Sequence, residues 1–330
     1  MVFGRRGAQA RHPRSRRDAP GGARGMRPQL PPQIRVLERG WLSSNNIVFL
    51  EGEGATLVDS GYVTHAPQTL ALLASALGGR RLDRLINTHS HSDHIGGNAA
   101  VRRAHGCRIS VPEGIAPALA EWDEDALLLT AARQQAEPFK FDETIAAGDE
   151  IEMGGLAWRA IAAPGHDMHA LVFFSPVAGL LISGDALWEN GFGVMFAALA
   201  GDPDGLPATR RTLEALGTLE VRAVLPGHGA PFGGFAAAIE RAFRRLAAFE
   251  ESPERMARSA LKALFTFTLL ERRRMSRAGI AAHFAQVRIF RDVSARYFAR
   301  EPESVAAQII AELLSAGVLL DQDGDIVARS

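Results

Sequence analysis

The sequence is short of several features, and each shortage excludes a class of protein. Cys107 is the single cysteine in 330 residues, so no internal disulfide can form, which fits a reducing compartment. No run of 18 apolar residues occurs, so no transmembrane helix is predicted and the cytoplasm is the default location. The formal net charge is zero, so the whole chain carries no field that attracts polyanions or anionic membranes.

What is present is typical of a globular protein. Apolar residues make up 47% and charged residues 22% of the chain, which is long enough for one large domain or two ordinary ones. Lysine occurs only at Lys140 and Lys262, so arginine supplies nearly all the positive charge. Clusters of arginine are therefore weaker evidence of function than they usually are.

Residues 1–30 are predicted to be a disordered, arginine-rich tail. Residues 1–27 contain eight arginines against one acid, Asp18, and have no apolar period. Arg5-Arg6 is similar to a twin-arginine signal, but no apolar segment follows it. A basic arm for nucleic acid is a second interpretation. We favour a third, an extension without function that precedes a start at Met26.

Residues 31–234 alternate strand-like and helix-like segments and form the predicted catalytic domain. Residues 66–77 place Leu70, Leu73 and Leu77 on one face and stop at Gly78-Gly79, which predicts an amphipathic helix. A further helical segment at 115–136 interrupts the alternation, as a lid over a site would. Strands are predicted at 34–37, 47–50, 55–58, 82–88, 108–111, 156–162, 171–174, 180–183 and 221–225, and other helices at 98–104 and 205–217.

After residue 234 the pattern changes to helices that are followed by a β-hairpin around Gly324. This order predicts a winged-helix-like C-terminal domain over 235–330. Residues 241–300 contain fourteen basic and five acidic side chains, which keeps nucleic acid open as a partner. A solvated helix surface, a dimer interface or a pocket-closing domain is the favoured interpretation. The helices are predicted at 235–250, 253–270, 277–284, 288–299 and 302–315, and the hairpin strands at 318–320 and 326–328.

One short segment concentrates the residues that bind metals. His89, His91, Asp93 and His94 lie within six residues, directly after a predicted strand. Neutral imidazole is the commonest protein ligand for metals, and nitrogen and oxygen donors suit zinc, iron or manganese. In an extended stretch His89, His91 and Asp93 project to one side and His94 to the other, and a turn could bring His94 to a second metal. A surface histidine cluster without metal is the alternative.

Three further candidates make the metal site the stronger hypothesis. His166 follows Pro164-Gly165, Asp185 follows Ser183-Gly184, and His228 follows Pro226-Gly227. Each lies at or just past the carboxyl end of a predicted strand, where α/β sheets place their ligands.

These four motifs, in this order, resemble the metallo-β-lactamase superfamily, and the resemblance covers roughly residues 34–232. It implies an α/β (α+β) fold, a four-layer αββα sandwich with metals at one edge of the two sheets. It also implies that His89, His91 and His166 hold one metal, that Asp93, His94 and His228 hold another, and that Asp185 bridges them. The implied cofactors are two zinc ions, with iron or manganese possible. Asp59 matches a family acid that supports the site from behind the ligands.

The resemblance implies a hydrolase that uses a metal-bridging hydroxide, with the metal-binding carboxylates Asp93 and Asp185 as catalytic residues. Departures narrow the choice within the superfamily. The zinc β-lactamases lack an aspartate at the position of Asp185, and the flavodiiron branch has a glutamate where His91 stands. The ligand set is similar to that of glyoxalase II. That enzyme's glutathione-binding tyrosine and lysine residues are not evident here, where Tyr62 and Tyr297 are the only tyrosines.

Residues 186–200 are unusually apolar and follow Asp185, so Trp188 and Phe192 are candidates for a substrate pocket, with His169 as a possible donor to substrate. Core or dimer packing is equally consistent with the apolar pair. The favoured function is hydrolysis of a small-molecule thioester, ester or lactone. The alternatives are a ribonuclease or phosphodiesterase that uses the basic C-terminal region, and a non-catalytic binder. A homodimer is possible, and no membrane partner is predicted.

Overall fold

The computed structural model describes residues 27–329. The predicted tail lies almost wholly outside the described residues, and residues 27–30 have no regular structure. No helix in 27–329 combines the length and apolar character that a membrane crossing needs.

A six-stranded sheet forms the first half of the catalytic region. Its strands run in chain order, antiparallel from β1 to β3 and parallel from β3 to β6. Alternate residues face opposite sides, so Leu57 packs outward under helices while Val58 points towards the second sheet. The strands are β1 (Ile34–Leu37), β2 (Asn46–Glu51), β3 (Gly54–Val58), β4 (Arg84–Ile86), β5 (Arg108–Pro112) and β6 (Glu143–Ile145).

A five-stranded sheet forms the second half, in the order β11, β10, β9, β8, β7. Only the β10–β11 pair is parallel. A core of buried residues lies between the two sheets, with Phe49 and Trp158 in edge contact at 5.4 Å between ring centroids. The strands are β7 (Glu150–Met153), β8 (Leu156–Ala162), β9 (Leu171–Ser175), β10 (Leu180–Gly184) and β11 (Ala223–Pro226).

Helices cover the outer faces of both sheets, which gives the four layers that were predicted. The first helix begins with Pro67 in its opening turn and ends where Gly78 takes a φ of 58°, a left-handed conformation that favours glycine. It occupies the predicted span 66–77. The helices of this region are α1 (Ala66–Leu77), α2 (Ser92–Ile95), α3 (Asn98–His105), α4 (Ala116–Glu121), α5 (Leu129–Ala132), α6 (Phe196–Ala200) and α7 (Gly205–Gly217).

The predicted helical insertion at 115–136 is not one helix. Only α4 and α5 form, because Trp122 and Leu128 take positive φ values of 53° and 59° that end one helix and delay the next. Trp122 packs edge-on against Phe139 and does not line the cavity described below. The predictions also missed the short elements β6, β7 and α6.

The C-terminal region is mostly helical and carries a three-stranded sheet in the order β12, β14, β13. Its winged-helix assignment and the boundary near 235 stay predictions. Residues 288–299, predicted as one helix, form α11 followed by a π-helical turn over 294–298. The elements are α8 (Phe235–Glu251), α9 (Pro253–Arg272), β12 (Arg274–Ser276), α10 (Arg277–Gln286), α11 (Arg288–Val293), α12 (Pro302–Ser315), β13 (Leu319–Gln322) and β14 (Asp325–Ala328).

This region shares one apolar core with the second sheet. Leu181 and Val224 of the sheet belong to the same buried cluster as Phe265 and Ile309 of the C-terminal helices. Burial of apolar surface is the main favourable term in folding, so the shared cluster fixes α8 and α9 against the catalytic region.

His283, on α10, is a buried histidine that should make stability depend on pH. It is 3% exposed, and neither ring nitrogen has a hydrogen-bond partner within 27–329. Burial lowers its pKa to about 4, with smaller contributions from Arg272 and Arg133. Because the unfolded chain binds a proton near pH 6.5, this site stabilises the fold fully above pH 6.5, and the contribution is lost as pH falls towards 4.

Between pH 7 and pH 4.5, we expect the unfolding free energy of the unaltered protein to fall by about 1–2 kcal/mol more than that of His283→Leu. Urea unfolding of both proteins at both pH values measures this difference. The contributions of all groups that titrate equally in both proteins cancel from this difference. Parallel pH profiles would show that His283 is not held neutral.

Candidate metal centre

The predicted ligands converge at the edge where several strands end. His89 follows β4, Asp185 follows β10 directly, and His228 lies two residues after β11. His166 lies four residues after β8, and Asp93 and His94 lie on the short helix α2. The carboxyl ends of β4, β10 and β11 meet at one edge, as the sequence predicted.

The first group consists of His89, His91 and His166. One ring nitrogen from each lies within 4.8 Å of the others. His91 Nδ1 and His166 Nε2 are 2.7 Å apart, and the His89 and His91 rings meet edge to face. Three imidazoles that aim their nitrogens at one point form a donor set suited to zinc or a similar ion.

The second group consists of Asp93, His94, Asp185 and His228, whose donor atoms also lie within 4.8 Å of one another. His228 Nε2 is 2.9 Å from Asp93 Oδ2, and His94 Nε2 is 3.4 Å from Asp185 Oδ1. The other Asp185 oxygen, Oδ2, is 3.4 Å from His166 Nε2 of the first group. One carboxylate therefore faces both groups.

Neighbouring groups fix the orientation of the rings. His94 Nδ1 is 2.7 Å from Asp59 Oδ2, while the Thr88 backbone N–H donates to Asp59 Oδ1 at 2.9 Å. His166 Nδ1 donates to the Val194 carbonyl at 2.6 Å. These contacts occupy Nδ1 and leave Nε2 of both rings directed into the site. Histidine ligands of metals characteristically have such support.

Two buried ring nitrogens supply a test of whether ions fit here. His89 Nε2 and His94 Nε2 are buried and have no hydrogen-bond partner among residues 27–329. A buried polar atom without a partner is costly, and cations held by these nitrogens and the nearby carboxylates would remove that cost. The donor set and these two atoms therefore fit metal ions.

The electrostatics of the two groups agree with that fit. Burial lowers the pKa of His89 well below its usual range, and burial with the neighbouring His166 lowers that of His91 to about 4, so both rings are neutral donors. Burial alone would raise the pKa of Asp185, but His228 and His94 hold it well below its usual value. Asp185 is thus an anion that can face two cations.

Glycines let the backbone pass close to the ligands. A Cβ on Gly227 would lie within 3.0 Å of Asp185 Oδ1 and 2.9 Å from His94 Cε1. A Cβ on Gly193 would lie within 3.0 Å of the Nδ1, Cγ and Cε1 atoms of the His166 ring. Any larger side chain at either position would displace a ligand.

A cavity of about 650 Å³ lies over both groups. Trp41 stacks on His228 with the rings 5.1 Å apart, and Trp188 meets the same histidine edge-on. Phe196 packs against His91 at 4.8 Å. The opposite wall comes from α9 of the C-terminal region, through Lys262, Ala263, Leu264, Thr266, Phe267 and Leu270.

A partly buried polar contact holds α9 against the catalytic region. The Tyr62 hydroxyl donates to Glu271 Oε1 at 2.8 Å and accepts from the Gln135 backbone N–H at 3.1 Å. Burial and Glu271 raise the pKa of Tyr62, so the hydroxyl stays protonated as a donor. Phe267, one turn before Glu271, meets the Tyr62 ring edge-on at 5.4 Å.

The structure separates the three predicted pocket residues. Trp188 lines the cavity, and its Nε1 donates to Asp185 Oδ1 at 3.2 Å. Phe192 does not line it, because the ring is 2% exposed and packs against Phe249 and Arg245. His169 does not line it either and is exposed beside Gly114.

Sequence reasoning missed the far wall of the cavity and Trp41. No local signal marks Phe267 or Leu270, since their proximity to the ligands depends on how α9 packs across the molecule. Asp167 was also missed, although it directly follows His166. Its carboxylate accepts from Ser90 Oγ at 3.1 Å and so connects the segment that carries His89 and His91 to the one that carries His166.

A family model described as the metallo-beta-lactamase superfamily matches residues 39–228, more than half of the chain. Among curated proteins, a hydroxyacylglutathione hydrolase from Rhodobacter capsulatus is 32% identical over 195 residues, 58% of this chain and 66% of that protein. Across the first relatives of that kind, the matched part spans between 37% and 66% of their length.

Solved structures extend the similarity of fold beyond the matched family region. A metallo-beta-lactamase family protein from Thermus thermophilus has a TM-score of 0.57 at 18% identity, and covers 91% of this chain and 100% of its own. A beta-lactamase domain protein from Burkholderia ambifaria has a TM-score of 0.54 at 21% identity, and covers 93% and 95%. Because both cover more than nine tenths of this chain, the similarity reaches into its C-terminal helices.

Proposed function

Because the chain belongs to the metallo-beta-lactamase superfamily, we propose that it is a two-metal hydrolase of small-molecule thioesters, with esters and lactones as related substrates. The observation that carries this proposal is the cavity of about 650 Å³, which has both ligand groups at its base and largely apolar walls. The hydroxyacylglutathione hydrolases among its relatives support thioester chemistry.

The proposed ligands of one ion are His89, His91 and His166, and those of the other are Asp93, His94 and His228, with Asp185 shared. Two zinc ions are the proposed cofactors, with iron or manganese as alternatives for the same donors. When bound, such ions acidify a water and polarise the carbonyl of the substrate. The cytoplasmic location and a homodimer stay predictions.

The chain's own residues would position the substrate and exclude water. Trp41, Trp188 and Phe196 lie against the ligand rings and shield the base of the cavity. Phe267 and Leu270 offer apolar surface to an acyl group from the opposite side. Asp185 is held in place by the Trp188 N–H and is too acidic to donate a proton at neutral pH.

We expect the full-length protein, loaded with about two zinc ions per chain, to cleave an octanoyl thioester at least about a hundredfold faster than a bis-aryl phosphodiester. Release of acid and of aryl alcohol from the same sample measures both rates. Phe267→Ala should raise the KM for long acyl chains more than for acetyl, while the exposed Val177→Ala serves as a control. Preferred phosphodiester cleavage would contradict the proposal.

The alternative, a ribonuclease, depends on the surplus of basic residues in 241–300. That surplus is partly offset in the fold, because several of these residues pair with acids outside the segment. Arg277 pairs with Asp321, Arg288 with Asp125, and Arg258 with Glu312. We therefore favour the small-molecule hydrolase.

A further inference from the structure

A second cavity, of about 530 Å³, lies between α8 and α9 and is strongly basic. We call it the basic cleft. Four arginines and a lysine line it, together with the smaller surfaces of Ala248, Phe249 and Ser259. The basic residues are Arg244, Arg245, Arg255, Arg258 and Lys262.

The basic cleft has more positive than negative charge. Glu312 pairs with both Arg258 and Lys262, at 3.0 and 2.5 Å, Glu254 also pairs with Arg258, and Glu240 lies 3.7 Å from Arg244, which leaves five cations against three acids. Within residues 27–329, neither Arg245 nor Arg255 forms an ion pair with a carboxylate. An anion in the basic cleft would complete this charge balance.

Arg245 is the clearest sign that the basic cleft takes an anion. Its guanidinium lies over the rings of Phe192 and Phe249, at 5.2 and 5.3 Å, and donates to Ser259 Oγ at 3.3 Å. Such a cation loses part of its hydration without gaining a counter-charge, which is unfavourable. Its forked donors match the geometry of phosphate oxygens.

The basic cleft and the cavity over the ligands meet at Lys262, which lines both. Both sets of residues lie on one face of α9, at spacings of three or four residues. Arg255, Arg258 and Ser259 supply the N-terminal half of that face, and Thr266, Phe267 and Leu270 supply the other. Phe267 lies nearest the catalytic region, since it contacts Tyr62. The face is therefore basic at its far end and apolar at the end nearer the ligands.

We propose that the basic cleft binds the phosphate of a phosphopantetheine arm, whose thioester reaches the two ligand groups. The substrate would thus be an acyl group on a phosphate-bearing thiol carrier. This inference rests on the proposed thioester hydrolysis. The phosphate would lie at Arg245 and Arg255, and the arm would run along α9 past Lys262 and Thr266, which leaves Phe267 and Leu270 to the acyl group.

The arm is long enough for this path. Arg245 contacts Ser259, and from Ser259 to Phe267 the helix rises about 12 Å, at about 1.5 Å per residue. The arm has about thirteen bonds between sulfur and phosphorus, and an extended chain advances about 1.2 Å per bond, which gives about 16 Å. A carrier without a phosphate, or with a much shorter arm, would not occupy both ends.

The reaction balances without a further reactant. Water adds its oxygen to the thioester carbonyl, the carbon–sulfur bond breaks, and the departing sulfur takes a proton. The products are the carboxylic acid and the free thiol of the carrier. The phosphate is not altered and serves only for binding.

Three substrates that share the octanoyl thioester and the pantetheine arm test the proposal: octanoyl-pantetheine, octanoyl-4'-phosphopantetheine and octanoyl-coenzyme A. We expect both phosphorylated substrates to have a KM at least about tenfold below that of octanoyl-pantetheine, with similar kcat. A further fall from the second to the third would show that the nucleotide of coenzyme A contributes. Equal KM values for all three would overturn the proposal.

Charge-neutral variants locate the phosphate. Arg245→Gln and Arg255→Gln should each raise KM about tenfold for the phosphorylated substrates only, and Arg291→Gln, exposed on α11 outside both cavities, should not. Arg255 is exposed, so its variant keeps the test valid if Arg245→Gln folds poorly. Equal losses with octanoyl-pantetheine would overturn the assignment.

Calorimetric titration with free coenzyme A separates this inference from the proposed function. Binding that weakens in Arg255→Gln and with added salt would support the basic cleft even if no thioester were cleaved. Thioester cleavage without such binding would leave the proposed function standing and overturn the inference. Displacement of coenzyme A by equal concentrations of single-stranded RNA would point to nucleic acid and also overturn it.

Discussion

Asp185→Ala should lower kcat/KM by at least about a thousandfold and reduce the metal content of the protein. Asp185 faces both ligand groups, at 3.4 Å from His94 Nε2 and 3.4 Å from His166 Nε2. Its removal leaves the two proposed ions without their shared anion. A loss of several kcal/mol of stabilisation in the transition state corresponds to about a thousandfold in rate.

The matched control is Glu220→Ala, which removes an exposed carboxylate from the loop before β11. Metal content, measured by elemental analysis of the dialysed proteins, and kcat/KM on the best thioester should both fall in Asp185→Ala. Both should stay unchanged in Glu220→Ala. Full activity of Asp185→Ala at full metal content would show that the two-metal proposal is wrong.

Gly227→Ala should inactivate the protein although glycine contributes no ligand. The added methyl group would overlap Asp185 Oδ1 and lie 2.9 Å from His94 Cε1. The backbone has little freedom to move away, because Gly227 N–H donates to the Gly184 carbonyl and its own carbonyl accepts from Asn45, at 2.8 and 2.7 Å. We expect kcat/KM to fall at least about a hundredfold and stability to fall by about 1–3 kcal/mol.

Gly233→Ala is the corresponding control in the same loop. A Cβ there would meet only the Arg222 carbonyl, at 3.7 Å, which is an ordinary contact. Thermal unfolding, metal content and activity of both variants distinguish local crowding from a general effect of alanine. If Gly227→Ala retained its metal and its activity, the close packing around Asp185 would not matter for function.

The metal centre could be predicted from the sequence because its ligands lie in short local motifs at strand ends. The segment from His89 to His94 and the turns before His166, Asp185 and His228 each carry their signal within a few residues. The helix over 66–77 was equally clear, because its leucine spacing and its terminal glycines agree. Local agreement of pattern and turn chemistry is what made these features predictable.

The substrate side could not be predicted in the same way. In the apolar segment after Asp185, Phe192 enters the core while Phe196 lines the cavity, and composition does not distinguish them. The residues of α9 that face the ligands lie at the usual spacing of a helix face, so their pattern fits ordinary packing equally well. Long-range contacts, such as that of Tyr62 with Glu271 and the shared apolar core, place that face over the ligands.

The contribution of α9 to the cavity has an evolutionary consequence. The residues proposed to perform the chemistry all precede residue 229, whereas much of the surface that meets the substrate follows residue 250. Mutations on the helix face that lines the cavity can therefore alter which substrates are admitted while the reaction centre stays constant. Related proteins can therefore acquire different substrates without new chemistry, through a different sequence on the helix that faces the reaction centre.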